Sequence, residues 1–307
     1  MRNSRTVALA AMVIVVAACG PAGSASTTPT QGATQGAATA PPATQASAGA
    51  TEAAIAPPTS LITAGRIVDC VDIEYPPLEM FPSADVTDPN QAIGFDVDAA
   101  KAVAGKLGLE IEIRNTAFNA LIPDLQAGRC DIVWTGLYVN ETRLKVADAV
   151  PYMATGQVVM VKAGNAVNIH AEGDLCGKTV SVQGAGLVEE RINKASAACE
   201  AASKPKINIQ AYEKVADEFQ QIVLGRVDAV WETDTGVLNF MFEHPNEYEV
   251  AYALPRDDNY GVYYGKGKAD LGTAIQAAID ALNADGTLSG LATKYGMDPA
   301  ILQVVEK

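Results

Sequence analysis

Gly128-Arg129-Cys130-Asp131-Ile132-Val133-Trp134-Thr135 returns further along the chain as Gly225-Arg226-Val227-Asp228-Ala229-Val230-Trp231-Glu232. Each copy follows a run with helical apolar spacing, residues 121–127 before the first and 219–224 before the second. A glycine directly after such a run is a helix stop, because it accepts the left-handed conformation just past the cap. The apolar residues after it then read as a buried strand. Helix, glycine stop and strand, written twice, predict two lobes of related α/β construction. A weaker echo pairs Gly65-Arg66-Ile67-Val68 with Gly177-Lys178-Thr179-Val180.

Outward from this repeat, residues 66–73 read as a strand. Over residues 96–107, Val97, Ala100, Ala104 and Leu107 share one helical face, and Leu109, Ile111 and Ile113 alternate as in a strand. Alternating strands and helices predict α/β layers with a largely parallel sheet. Ligands of open parallel sheets sit beyond the carboxyl ends of the strands. Thr135 and Glu232 leave their strands at equivalent points, so two facing lobes would enclose a cleft between them.

The 307-residue chain is about half hydrophobic and carries a net charge of −14. That composition is globular, and its acidity argues against a partner such as nucleic acid, which selects basic surfaces. Arg2 and Arg5 precede the apolar run 6–18, which is too short to cross a hydrocarbon core of ~30 Å and suits a signal peptide over residues 1–18. The run ends in Val16-Ala17-Ala18-Cys19, which resembles the bacterial lipobox, with Cys19 as the lipidated residue. Loss of the two arginines would take the charge from −14 to −16. Residues 19–60, almost entirely Ala, Thr, Gly, Pro, Ser and Gln, read as a disordered tether. The expected location is therefore the extracytoplasmic face of the cell membrane, held there by an N-terminal lipid.

With Cys19 assigned to lipid, Cys70, Cys130, Cys176 and Cys199 remain in an oxidising setting. Of the three possible connectivities, Cys70–Cys130 with Cys176–Cys199 is the simplest, since it staples each lobe separately. No CxxC pair or nearby histidine completes a metal site, and no metal or cofactor is expected. Gly184-Ala185-Gly186 misses the dinucleotide fingerprint because Glu189 stands at the third small position, yet it leaves room for an anion at a helix start. No GxSxG, HExxH or P-loop occurs, so no hydrolase or transferase signal emerges.

Several stretches together carry a resemblance. They are Val71-Asp72-Ile73-Glu74-Tyr75-Pro76-Pro77-Leu78-Glu79, Gly94-Phe95-Asp96-Val97-Asp98, residues 118–128, Thr135-Gly136-Leu137-Tyr138-Val139-Asn140-Glu141-Thr142-Arg143, residues 147–152, residues 177–183 and residues 284–288. In that order they resemble the family-3, polar amino-acid type of extracellular solute-binding proteins of ABC importers, across residues 64–297. The resemblance implies a periplasmic-binding-protein-like fold of type II, with two hinge-connected lobes that each hold a central mixed β-sheet. Lobe 1 would take residues 61–155 plus 253–307, and lobe 2 residues 156–252. The implied partners are an amino-acid-like ligand and the transmembrane subunits of an ABC permease, for a chain acting as a monomer.

The resemblance also implies a ligand site. Arg143 would fork the ligand carboxylate, Thr135 would supply a hydroxyl and Gly136 a carbonyl for the ligand ammonium. Asp72, Tyr75 and Phe118 would line the side-chain pocket. This chain departs from the family pattern where Tyr138 replaces a small hydroxyl residue and where Gly186 and Leu187 replace a threonine pair. The acid for the ligand ammonium falls on Thr233 in an ungapped alignment. Asp234 recovers it with one inserted residue, and Glu232 is adjacent. The same scaffold also hosts cyclohexadienyl dehydratases acting on prephenate or arogenate, for which Glu74, Glu232 or Asp234 would be the acid. A sensory binding protein is a further alternative.

Overall fold

The computed structural model describes residues 55–306. The expected signal peptide, Cys19 and the tether as far as residue 54 lie outside the described residues. The first half of the fold runs β1 (Arg66–Val71), α1 (Phe95–Lys106), β2 (Glu110–Asn115), α2 (Leu121–Gln126), β3 (Ile132–Val133), α3 (Glu141–Leu144) and β4 (Ala147–Thr155). Then come β5 (Gln157–Lys162), β6 (Thr179–Gln183), α4 (Leu187–Ala201), β7 (Asn208–Tyr212), α5 (Val215–Val223), β8 (Ala229–Thr233), α6 (Asp234–Glu243) and β9 (Tyr248–Ala253). The chain closes with β10 (Asp258–Gly265), α7 (Ala269–Ala284) and α8 (Thr287–Lys294).

The repeated octapeptide builds the same joint twice. Gly128 and Gly225 both adopt positive φ, +69° and +67°. The amides on either side of each joint then turn back on the helix, Gly128 to the Leu125 carbonyl and Arg129 to Asp124, Gly225 to Ile222 and Arg226 to Gln221. This is the Schellman pattern, and it satisfies carbonyls that a helix end otherwise leaves unpaired. The aspartate two residues on clasps the neighbouring strand. Asp131 accepts from the Val68 amide at 3.0 Å and Asp228 from the Thr179 amide at 2.8 Å. Trp134 and Trp231 then bury completely.

Each lobe is a five-stranded mixed sheet, ordered β2-β1-β3-β10-β4 and β7-β6-β8-β5-β9. In the first, β1 is parallel to β2 and β3, while β10 runs antiparallel to β3 and β4. In the second, β6 is parallel to β7 and β8, while β5 runs antiparallel to β8 and β9. The repeat unit is thus parallel as its alternation predicts, but each sheet gains two further strands through antiparallel pairings that local periodicity does not orient, β10 and β5 being the ones that run against the rest. Because β4 leaves one sheet and β5 enters the other with only Gly156 between, the lobes share a short double connection, completed by residues 254–257.

Two boundaries move. Ala253, expected to begin the return to lobe 1, is still paired with Val158 in the second sheet. The tether, expected to run disordered to residue 60, is tied down before it ends. Thr59 and Ser60 donate backbone and hydroxyl hydrogen bonds to Asp270 in the first turn of α7, and Pro58 is buried. Hydroxyl residues next to an exposed acid at a helix start can anchor a segment whose composition alone argues for disorder.

Cys70 is bonded to Cys130 and Cys176 to Cys199, with Cα separations of 5.8 and 5.6 Å. Each bond lies within one lobe, so neither restrains the connection between lobes. The Cys176–Cys199 loop spans 23 residues. Replacing both cysteines by alanine is expected to lower unfolding stability by ~3 kcal/mol through the freed chain entropy. Guanidinium denaturation of the oxidised protein and the double variant checks this, and equal midpoints would contradict it.

Candidate functional site

The carboxyl ends of the central strands point at one another, as the repeat predicts. Between them lies a cavity lined from the first lobe by Asp72, Tyr75, Glu79, Phe118, Thr135, Gly136 and Tyr138. The second lobe contributes Gln183, Gly186, Leu187, Val188, Glu232 and Thr233. About 20 Å³ is free, room for little more than one water molecule. The Tyr75 ring lines this cavity. Its hydroxyl crosses the cleft to meet the Thr233 hydroxyl and donates to Glu232 at 3.4 Å. Two glycines flank the ring, and an added Cβ on Gly136 or Gly236 would come within 3.1 or 3.0 Å of it.

The first lobe's floor is a carboxylate network. Thr135 donates to Glu79 at 2.5 Å and accepts from the Asp72 amide at 3.2 Å. The Gly136 amide and the Tyr152 hydroxyl donate to Asp96, at 2.7 and 2.6 Å. Burial, and then the neighbouring Asp96, push the Glu79 carboxyl well up. Burial raises Glu232 to about 7. Asp72 also rises to about 7, mainly through burial, with Glu74 adding repulsion and Lys214 opposing it. Among the described residues that line this cavity, Asp72, Glu79 and Glu232 are the acidic side chains and none is basic.

Eight of the residues singled out from the sequence thus meet on one cavity: Asp72, Tyr75, Phe118, Thr135, Gly136, Tyr138, Gly186 and Leu187. Two do not. Arg143 lines a neighbouring hollow with Phe118, Asn119 and Ala185. Its Nη1 donates to the Tyr138 carbonyl at 3.0 Å, and its guanidinium carbon lies 5.8 Å from the centre of the Phe118 ring. Phe118 lines both hollows, and burial lowers the guanidinium from its ordinary value. Asp234 caps no cavity wall either. Its carboxylate is paired with Arg256 and accepts from Thr155 at 3.1 Å, which fixes it to the interlobe connection.

Tyr138 contributes bulk and a strut in place of a compact donor. Its hydroxyl donates to the Gly156 carbonyl at 3.1 Å, and its ring meets Tyr260 edge-on. Gly186 is the N-cap of α4 and packs against the Phe118 ring across the cleft. The first amides of α4 therefore face the cavity, where a helix start favours negative charge. Glu79 and Glu232 are the wall residues that sequence reasoning undervalued. Glu232 ends the second octapeptide where Thr135 ends the first, so the repeat itself contained the signal. Outside the cavity, Glu74 pairs with Lys214 and Asp258 with Arg191, ion pairs that join the lobes.

Residues 67–298 match the family model described as bacterial extracellular solute-binding proteins, family 3, and the chain belongs to that family. The L-cystine-binding protein TcyJ of Escherichia coli (strain K12) is 27% identical over 232 residues, covering 75% of this chain and 82% of that one. An ancestral arginine-binding protein solved with arginine is 30% identical, with a TM-score of 0.68 over 75% of this chain and 98% of its own. The ancestral amino acid-binding protein AncCDT-1, a precursor of cyclohexadienyl dehydratase, is 28% identical, with a TM-score of 0.65 over 75% and 95%. The fold is the two-lobed α/β fold of these structures.

The raised carboxyls fix a sign for stability against pH. Asp72 and Glu232 keep their protons to about pH 7 in the folded chain, whereas unfolded carboxyls release them near ~4. Their contribution to stability is complete below the unfolded value and is lost as pH rises through 7. The melting temperature is expected to fall between pH 5 and pH 8, and Asp72→Asn should flatten that slope. A calorimetric melt that rises over this interval would contradict the assignment.

Proposed function

We propose that the chain is the lipid-anchored binding component of an ABC importer, which captures a cationic amino acid by closure of its lobes at the outer face of the membrane. One observation carries this reading: the interlobe cavity is walled by Asp72, Glu79 and Glu232, without a basic side chain among the described residues that line it. A cationic amino acid suits such a wall. Its carboxylate takes the start of α4 at Gly186–Val188, and its ammonium takes the carboxylates. Its distal cation reaches Asp72, beyond which lies a side pocket of about 150 Å³ lined by Glu74, Glu213 and Lys214, the lysine paired with Glu74. The aromatic faces of Tyr75 and Phe118 add cation–π attraction. The arginine bound by the ancestral relative supports the same ligand class.

In this mechanism the ligand contributes contacts to both lobes at once and so stabilises the closed arrangement, which the permease reads. The extracellular character of the family supports export. Among the described residues no helix is long and apolar enough to cross a membrane; the lipobox-like run that ends at Cys19 is what supports anchorage.

Titration calorimetry against a panel of amino acids tests the ligand class. Arginine or lysine is expected to bind and glutamate and aspartate to give no heat, and preference for an acidic amino acid would overturn the reading. Cell fractionation tests the anchor. The wild type should sediment with membranes and Cys19→Ser should be released, and equal partition of the two would remove Cys19 from the account. The resemblance to a dehydratase precursor, with an acid held at about 7 facing the cleft, favours one second reading. Phenylpyruvate or phenylalanine appearing from prephenate or arogenate would establish it.

A further inference from the structure

We infer that the hollow between α5 and α6 is the docking site for an extracytoplasmic segment of the permease, one that presents a bulky apolar side chain beside a basic group. This rests on the importer reading above and adds to it the surface through which closure is read.

Outside the ligand cavity lies a second hollow of about 290 Å³. Phe219 and Val223 of α5 and Phe240 of α6 give it apolar walls, and the rings of Phe219 and Phe240 stack with centres 4.4 Å apart. Eight large apolar side chains stand exposed among the described residues, and four of them, Val223, Leu224, Leu238 and Phe242, lie on α5, at its end or on α6. Phe242 is 85% exposed and sits one helical turn after Leu238. Val237, Phe240 and Met241 already supply the core side of α6, so packing within the chain leaves Leu238 and Phe242 without a use. Apolar side chains gathered beside a hollow mark a surface that a partner covers.

The hollow also adjoins the ligand site. Glu74 and Pro76 of the first lobe line it, and the residue between them is Tyr75, which reaches Thr233 across the cleft. Gly236, on α6, lines the hollow and borders the Tyr75 ring, where an added Cβ would come within 3.0 Å. Opening of the lobes would draw Glu74 and Pro76 away from α5 and α6. The hollow is therefore complete only in the closed arrangement, and a segment seated there favours that state.

Charge selects among occupants. Glu74 and Glu243 line the hollow, with no lysine or arginine among its described lining residues. Lys214 offsets Glu74, which leaves Glu243 as the acid that meets a partner. An anionic membrane surface would be repelled by that acid in a chain of net charge −14. A second copy docked face to face would bring the same acid against itself. An apolar side chain with a neighbouring base fits both the walls and the charge.

The test uses cells that make the chain and its permease, with the chromosomal gene deleted and restored as wild type, Phe242→Glu or Glu243→Lys. Uptake of labelled L-arginine is measured in the cells, and arginine affinity by calorimetry on the purified full-length proteins. Both substitutions fall on exposed positions of α6, so both proteins should fold and bind arginine as the wild type does. Phe242→Glu should lower uptake by ~tenfold or more, the scale of losing an interface anchor, and Glu243→Lys should lower it too. Variants that restore wild-type uptake with unchanged affinity overturn the docking site and leave the importer reading intact. Deletion that leaves arginine uptake unchanged overturns the importer reading, and the docking site with it. Wild-type dimers that Phe242→Glu disperses would assign the surface to a second copy and overturn the docking site. Phosphatidylglycerol vesicles that bind the Cys19→Ser protein, but not once Phe242→Glu is added, would assign it to the membrane with the same result.

Discussion

A carboxylate taken out of water must find donors or keep its proton, and the interior of this protein is arranged around that constraint. Asp131 and Asp228 meet it with backbone amides and thereby lock strands β1 and β6 to the repeated joint. Asp96 meets it at one oxygen, with the Gly136 amide and the Tyr152 hydroxyl, which holds the loop after β3 in place. Glu79 and Glu232 likewise keep one oxygen unpartnered, and these two line the cleft. The same chemistry therefore ties strands to their joints in the core and leaves unmet acceptors both in the core and at the cleft.

This division explains why the fold was more legible than the site. A glycine after an apolar helical run has a local consequence, so the joints at Gly128 and Gly225 could be read from residues in sequence order. The meeting of Thr135 with the second lobe also followed, because strand ends of a repeated unit are equivalent by construction. Side-chain direction has no such local rule. Arg143 lies on the four-residue α3, and its guanidinium turns back to the carbonyl of Tyr138, five residues earlier. The bulk of Tyr138, noticed as a departure, gave no hint that it would act as a strut to Gly156. Asp234 was decided by Arg256, twenty-two residues away on the returning connection, a contact that spacing along the chain does not encode.

The connection between lobes is itself shaped by these commitments. The Asp234–Arg256 pair and the Tyr138 contact to Gly156 lie at the crossing strands, whereas Glu74–Lys214 and Tyr75–Thr233 join the lobes away from them. Contacts at a crossing can persist through rotation of one lobe against the other, and contacts farther out must break. Of the two, Tyr75–Thr233 is buried and Glu74–Lys214 is partly exposed, and exposed ion pairs contribute little, commonly ~0–1 kcal/mol. Closure is thus weakly held at its rim and depends mostly on what fills its centre.

Tyr75 reaches across this centre to Thr233 and Glu232, and that sets the terms for any ligand. Affinity is a difference between two states, so a ligand that replaces the Tyr75 ring gains only the surplus of its own contacts over those of the phenol. A neutral apolar molecule of similar size would exchange one ring for another and leave Glu79 and Glu232 short of donors. An anion would do worse, since it adds repulsion to the same unmet acceptors. A cation gains where the phenol is weakest: it brings several donors and a full charge against a single hydroxyl. On the proposed cationic amino-acid reading, the phenol would therefore act as a filter, raising the threshold most for solutes that cannot supply what the buried carboxylates lack.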